Sequence, residues 1–233
     1  GGPTWNDMRP ADLVLGQPGF ATGDAGTSQT ALQSPYAVTV DPTTGKVFVA
    51  DTFNHRVLRY ASSTALRNGA PAEGVLGQAD FVSGSANRGG GTAAANTLST
   101  PVGVVMDSAG RLWVADFDNN RVLWFNDAAG KANGAAADGV LGQANFTSIS
   151  ANRGGAVAAN TLYRPYGVWV DDGGDLWIAD AINNRVLRWD DAATLTNGEA
   201  ADGVLGQPDF TSNAANRGGS TAANSLNIPT GLV

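Results

Sequence analysis

An aspartate followed five residues later by an arginine recurs three times in this sequence, as Asp51 and Arg56, Asp116 and Arg121, and Asp180 and Arg185, with Asn54, Asn119 and Asn183 between them. Such a pair could be a charged ligand contact or an acid/base couple. It could equally hold a turn together, the carboxylate accepting backbone N–H groups while the arginine pairs with it. Because the pair is the same each time, the architectural role is the expected one. His55 is the single histidine and so the one imidazole suited to proton transfer near neutral pH. Asn120 and Asn184 stand at its repeated positions, which makes a turn residue the simpler reading. The run Asp171-Asp172-Gly173-Gly174-Asp175 gathers three carboxylates of the kind calcium favours. Its counterparts at Asp41 and Asp107 are plain turn sequences, so no metal and no cofactor is expected. Asn145-Phe146-Thr147 is a glycosylation sequon that would matter only in a secretory pathway using it.

Bulk properties exclude several chemistries. Fourteen basic against 21 acidic residues give a net charge of −7, unfavourable for binding phosphate polymers or anionic lipid. Nucleic acid is therefore not an expected partner. With no cysteine there is no thiolate nucleophile, no disulfide and no cysteine-ligated zinc, and one histidine rules out a multi-histidine metal site within the chain. No apolar run has the length of a membrane-spanning helix. The start at Gly1-Gly2-Pro3-Thr4-Trp5 suits a processed secreted protein or an excised fragment, and an extracellular or envelope location is expected.

These residues sit on a repeat. Val-Leu-Gly-Gln occurs at 14–17, 75–78, 140–143 and 204–207, at intervals of 61 to 65 residues. Ala-Asn-Arg-Gly-Gly occurs at 86–90, 151–155 and 215–219, with the same period as the arginines above. Within a unit the pattern is β throughout. Val102–Met106 is a short apolar run closed by a turn, and Arg111–Ala115 alternates, with Leu112 and Val114 opposite Trp113. Val122–Phe125 and Gly139–Gln143 complete four short strands, the pattern of one propeller blade. A blade needs about 40–45 residues, so roughly 20 remain for a connection such as 145–162, expected to be ordered because its sequence repeats. Trp113, Trp124, Trp169, Trp177 and Trp189 lie at strand spacing and are expected to pack between blades rather than to line a sugar site.

Asn54-His55-Arg56-Val57, with its variants Asn119-Asn120-Arg121-Val122 and Asn183-Asn184-Arg185-Val186, resembles the NHL repeat, as do Pro35-Tyr36-Ala37-Val38, Pro101-Val102-Gly103-Val104 and Pro165-Tyr166-Gly167-Val168. The resemblance implies an all-β propeller of four-stranded blades across the whole chain, 1–233. The units run approximately 35–100, 101–164 and 165–228, with partial units at 12–34 and 229–233. It also implies a ring of about six blades, so the protein is expected to continue past Val233, with Leu13–Gln17 completing the last blade. Closure by self-association of copies is the alternative.

A ligand without internal symmetry needs contacts that differ between units. Two sets of equivalent positions vary: Tyr36, Val102, Tyr166 and Thr230 at the start of the innermost strand, and Phe53, Asp118 and Ile182 in the aspartate-to-asparagine turn. These are the candidate ligand contacts. The expected function is a non-catalytic binding or scaffold propeller for a protein, peptide or glycan. Its alternatives are a metal-dependent lyase or lactone hydrolase, as in some related propellers, and a subunit of an extracellular polymer.

Overall fold

The computed structural model describes residues 10–232. It contains three four-stranded antiparallel sheets, each meandering in chain order. The first is β1 (Pro35–Val40), β2 (Lys46–Asp51), β3 (Arg56–Ser62) and β4 (Gly74–Leu76). The second is β5 (Pro101–Met106), β6 (Leu112–Asp116), β7 (Arg121–Phe125) and β8 (Gly139–Leu141). The third is β9 (Pro165–Val170), β10 (Leu176–Asp180), β11 (Arg185–Trp189) and β12 (Gly203–Leu205). The expected strands differ from these at their ends by one or two residues.

Strand alternation explains how the sheets stack. On β6, Leu112 and Val114 face the first sheet and join Phe48, Ala50, Val57 and Leu76. Trp113 and Ala115 face the other way and join Leu176, Ile178, Leu187 and Trp189 of the third sheet. The middle sheet is thus apolar on both faces, because it is covered on both. The first strands β1, β5 and β9 lie beside one another across the sheets. The three sheets are therefore consecutive blades of a propeller. At this inner edge the backbones approach so closely that a Cβ on Gly103 would lie 2.3 Å from the Tyr166 carbonyl oxygen.

Blades are also latched at their outer edge. The Asn133 side chain accepts the Val75 N–H at 3.1 Å, and the Gly134 N–H donates to the Val75 carbonyl at 2.8 Å. Asn197-Gly198 holds Val140 of β8 in the same way. Asn68-Gly69 holds Val14, although no β4-like ladder forms there. This corrects the expectation of a strand at Leu13–Gln17. Outer strands pair with the third strand of their own blade, and among the described residues none stands beside these, so the latch holds them without a ladder. Residues 227–232 likewise form no strand, yet they take the inner-edge position, with the Thr230 carbonyl 2.6 Å from where a Cβ on Gly167 would sit. Val233 and residues 1–9 lie outside the described residues.

The connections between blades are ordered as expected. Each Ala-Asn-Arg-Gly forms a tight turn with its Asn and Arg in the left-handed region, at φ 47° and 55° for Asn87 and Arg88. Arg88 then donates to the Gly77 and Gly134 carbonyls at 3.3 and 3.1 Å, bridging β4 to the next blade. Arg153 repeats this with Gly142 and Gly198.

Candidate ligand-binding face

The repeated aspartate and arginine are fully buried and form an ion pair in every blade, at 2.7, 2.7 and 2.8 Å. Their role is wider than the expected pinning of one hairpin. Asp116 accepts from Arg121 and Asn119 at one oxygen and from the Ser99 N–H at the other. Arg121 then spends its remaining N–H groups on the carbonyls of Phe146, in the connection that follows, and of Ala94 and Thr97, in the one before. Arg56 and Arg185 hold the equivalent carbonyls, with Phe81 in place of Phe146 in the first blade and Phe210 in the third. Asn54 and Asn183 donate to Asp51 and Asp180 as Asn119 does to Asp116. Burial pushes the Asp116 and Asp180 carboxyls upward, against the arginine, backbone N–H and asparagine that favour the charged form. Each arginine is a socket into which two inter-blade connections plug.

His55 has a related duty. It ends the turn after β2 in the left-handed region, at φ 51°, as Asn120 and Asn184 do after β6 and β10, both at φ 53°. Its Nδ1 accepts the Thr100 N–H at 2.9 Å. The carboxamide oxygens of Asn120 and Asn184 accept the N–H groups of Arg164 and Ile228 at the same distance. Thr100 and Arg164 precede the prolines that start β5 and β9, Ile228 precedes Pro229 at the equivalent position, and all three are left-handed, with φ of 56°, 53° and 47°. A side-chain acceptor on one blade thus holds a strained residue at the start of the next.

At this end of the inner strands the variable residues converge. Tyr36 and Tyr166 lie with ring centroids 6.1 Å apart in an edge contact. Phe117 meets Tyr166 edge-on at 5.9 Å. The Arg164 guanidinium lies 5.1 Å above the Phe117 ring and 3.4 Å from Asp118. The Thr100 hydroxyl donates to the other Asp118 oxygen at 2.6 Å. Tyr36, Asp118 and Arg164 are exposed, and Tyr166 and Phe117 half-buried. Tyr36 also lines a groove of about 380 Å³ together with Leu13, Leu15, Leu32 and Val38.

Of the residues expected at a site, Tyr36, Tyr166 and Asp118 come together here. Val102 does not join them: it is 6% exposed and packs in the core between the second and third blades. Valine is short and apolar, and β5 is flanked on both sides, so its side chain is covered. Phe53 is exposed and Ile182 half-buried in their own turns, and Thr230 is exposed beside β9; none makes a ring contact with the cluster. Phe117 and Arg164 were not singled out, although the same signal marks them. Phe117 replaces Thr52 and Ala181, and Arg164 replaces Ser34, Thr100 and Ile228.

The opposite end carries the acidic turns. Asp171 accepts the Trp177 indole N–H at 2.9 Å and turn N–H groups at 2.9 Å, and these hold its carboxyl below the ordinary range. Asp107 receives the Trp113 indole at 3.1 Å. These acids orient tryptophans, and no trio of acidic, histidine or cysteine side chains among the described residues is placed to hold a metal ion. Trp113, Trp124 and Trp189 are buried between blades, while Trp169 and Trp177 are half-buried on the third blade. The Asn145 oxygen caps its own turn, accepting from Thr147 and Ser148. No described helix is long and apolar enough to cross a membrane.

The NHL repeat model matches residues 98–125, which run from Leu98 through β5 and β6 to the end of β7 and include the Asp116–Asn119–Arg121 cluster. The chain carries an NHL repeat. The first and third blades present the same strand order and the same buried cluster, and so are NHL-type units around it. No curated relative matches the sequence. Among solved structures, the chain is similar to Kuenenia stuttgartiensis hydrazine synthase at 13% identity, over 83% of this chain and 41% of that one, with a TM-score of 0.47. It is similar to the WD40 repeats of RRP9 at 11% identity, over 74% and 38%, with a TM-score of 0.44. It is similar to virginiamycin B lyase from Staphylococcus aureus at 16% identity, over 66% and 37%, with a TM-score of 0.39. The chain spans about two fifths of the length of these structures.

Proposed function

We propose that this NHL-repeat chain is a non-catalytic binding module that seats a peptide or protein segment on the Tyr36–Phe117–Tyr166 face. The convergence of three aromatic rings from one turn and two inner strands carries this reading. Tyrosine and arginine are the residue types that dominate binding energy at protein interfaces, because they bring large rigid area together with a polar tip. The Arg164–Asp118 pair beside the rings supplies a polar rim. The acids repeated in all three blades are buried and committed to arginines, so they are not offered to a substrate.

The test is to pan a displayed random-peptide library against the chain and against a Tyr36→Ser/Tyr166→Ser variant. Peptides enriched on the parent and lost on the variant, at unchanged melting temperature, are the expected result. Equal retention by the variant would overturn the assignment, as would binding confined to a glycan array.

A further inference from the structure

We propose that His55 makes the Thr100–Asp118–Arg164 corner of the aromatic face responsive to pH, through the hydrogen bond it accepts from the Thr100 backbone. Its functional meaning rests on the binding reading above; its physics does not.

The His55 Nδ1 is an acceptor at 2.9 Å, so it carries no proton in this arrangement. Protonation would place two N–H groups nose to nose. What the bond holds is strained: Thr100 is β-branched and sits at φ 56°, where its Cβ crowds the backbone. With its acceptor gone, Thr100 gains by leaving the left-handed region. Its hydroxyl then withdraws from Asp118, which it meets at 2.6 Å, and Asp118 is the carboxylate facing Arg164. One proton at the blade joint thereby reaches the rim of the face through three contiguous side chains.

The charges around His55 are defined. Asp51 on β2 is paired with Arg56, Asp116 on β6 with Arg121, and Asp118 in the following turn with Arg164. All three acids favour the protonated imidazole, but burial outweighs them and holds His55 below the ordinary imidazole value. The neutral form is therefore the resting one near pH 7, and acidification is the trigger. The other two joints use Asn120 and Asn184, which do not titrate, so the response is confined to the first joint.

The experiment is an NMR titration of the ligand-free chain from pH 8 to pH 5. The Thr100 amide and the Arg164 guanidinium Nε–H are expected to shift with the same midpoint as the His55 ring, while the Ile228 backbone amide, held by an asparagine, does not follow it. His55→Asn should fold, since asparagine fills the equivalent positions, and should abolish the Thr100 transition. A Thr100 amide indifferent to the His55 midpoint, or one that moves equally in His55→Asn, would overturn the proposal. Because no ligand is present, neither outcome depends on whether the face binds a peptide.

Discussion

Arg121 Nε lies 2.7 Å from Asp116 Oδ2, and both side chains are completely shielded from solvent. Removing one partner of such a pair strands the other as an uncompensated buried charge, at a cost of about 3–5 kcal/mol. Asp116→Ala is therefore expected to lower unfolding stability by that amount in urea titrations. Peptide affinity, measured below the unfolding transition, should be largely retained. Lost affinity at unchanged stability would show that Asp116 acts at the ligand.

A milder loss is expected at the outer latch. Asn133→Ala leaves the Val75 N–H without its side-chain acceptor, worth about 1–2 kcal/mol for a partly buried group. Hydrogen exchange should report it locally, as faster exchange at Val75 and Gly134 with little change at Val140, which Asn197 holds.

Gly103→Ala tests the inner edge. The new methyl would lie 2.3 Å from the Tyr166 oxygen, a backbone atom that cannot rotate away. Overpacking of this kind costs about 1–3 kcal/mol. Gly23→Ala, at an exposed position where nothing lies within 4 Å of the new methyl, should be nearly neutral in the same melting assay.

Stability should also depend on pH through His55. Its folded value lies below the ordinary 6.5, because burial penalises the cation. The unfolded chain then takes up a proton first. The contribution is complete above pH 6.5, is lost as pH falls through the lower folded value, and levels off beneath it. Melting temperatures of the parent should decline over this window more steeply than those of His55→Asn. Parallel curves would refute the assignment.

Blade architecture was legible in the sequence because its determinants are local and recur. Alternation on Leu112–Asp116, the turn at 117–120 and the fixed aspartate-to-arginine spacing each appear three times. The reach of Arg121 to Ala94, Thr97 and Phe146 was not legible, since nothing in a spacing says which carbonyls a guanidinium will meet. The candidate face was half legible. Variation between units pointed to Tyr36, Tyr166 and Asp118, but it also pointed to Val102, because variation marks difference and not exposure. Phe117 and Arg164 vary between units in the same way, but one follows the repeated aspartate and the other precedes a repeated proline, where a structural reason for each residue was already at hand.

The sockets and latches have a consequence for how such a chain grows. Every blade carries the acceptor for its predecessor's outer strand and the guanidinium that receives the loops on either side, all at one period. A duplicated stretch of that length, inserted in register, arrives with both halves of each joint already encoded. Lengthening the array requires no newly invented contact, whereas a partial insertion would break two joints at once.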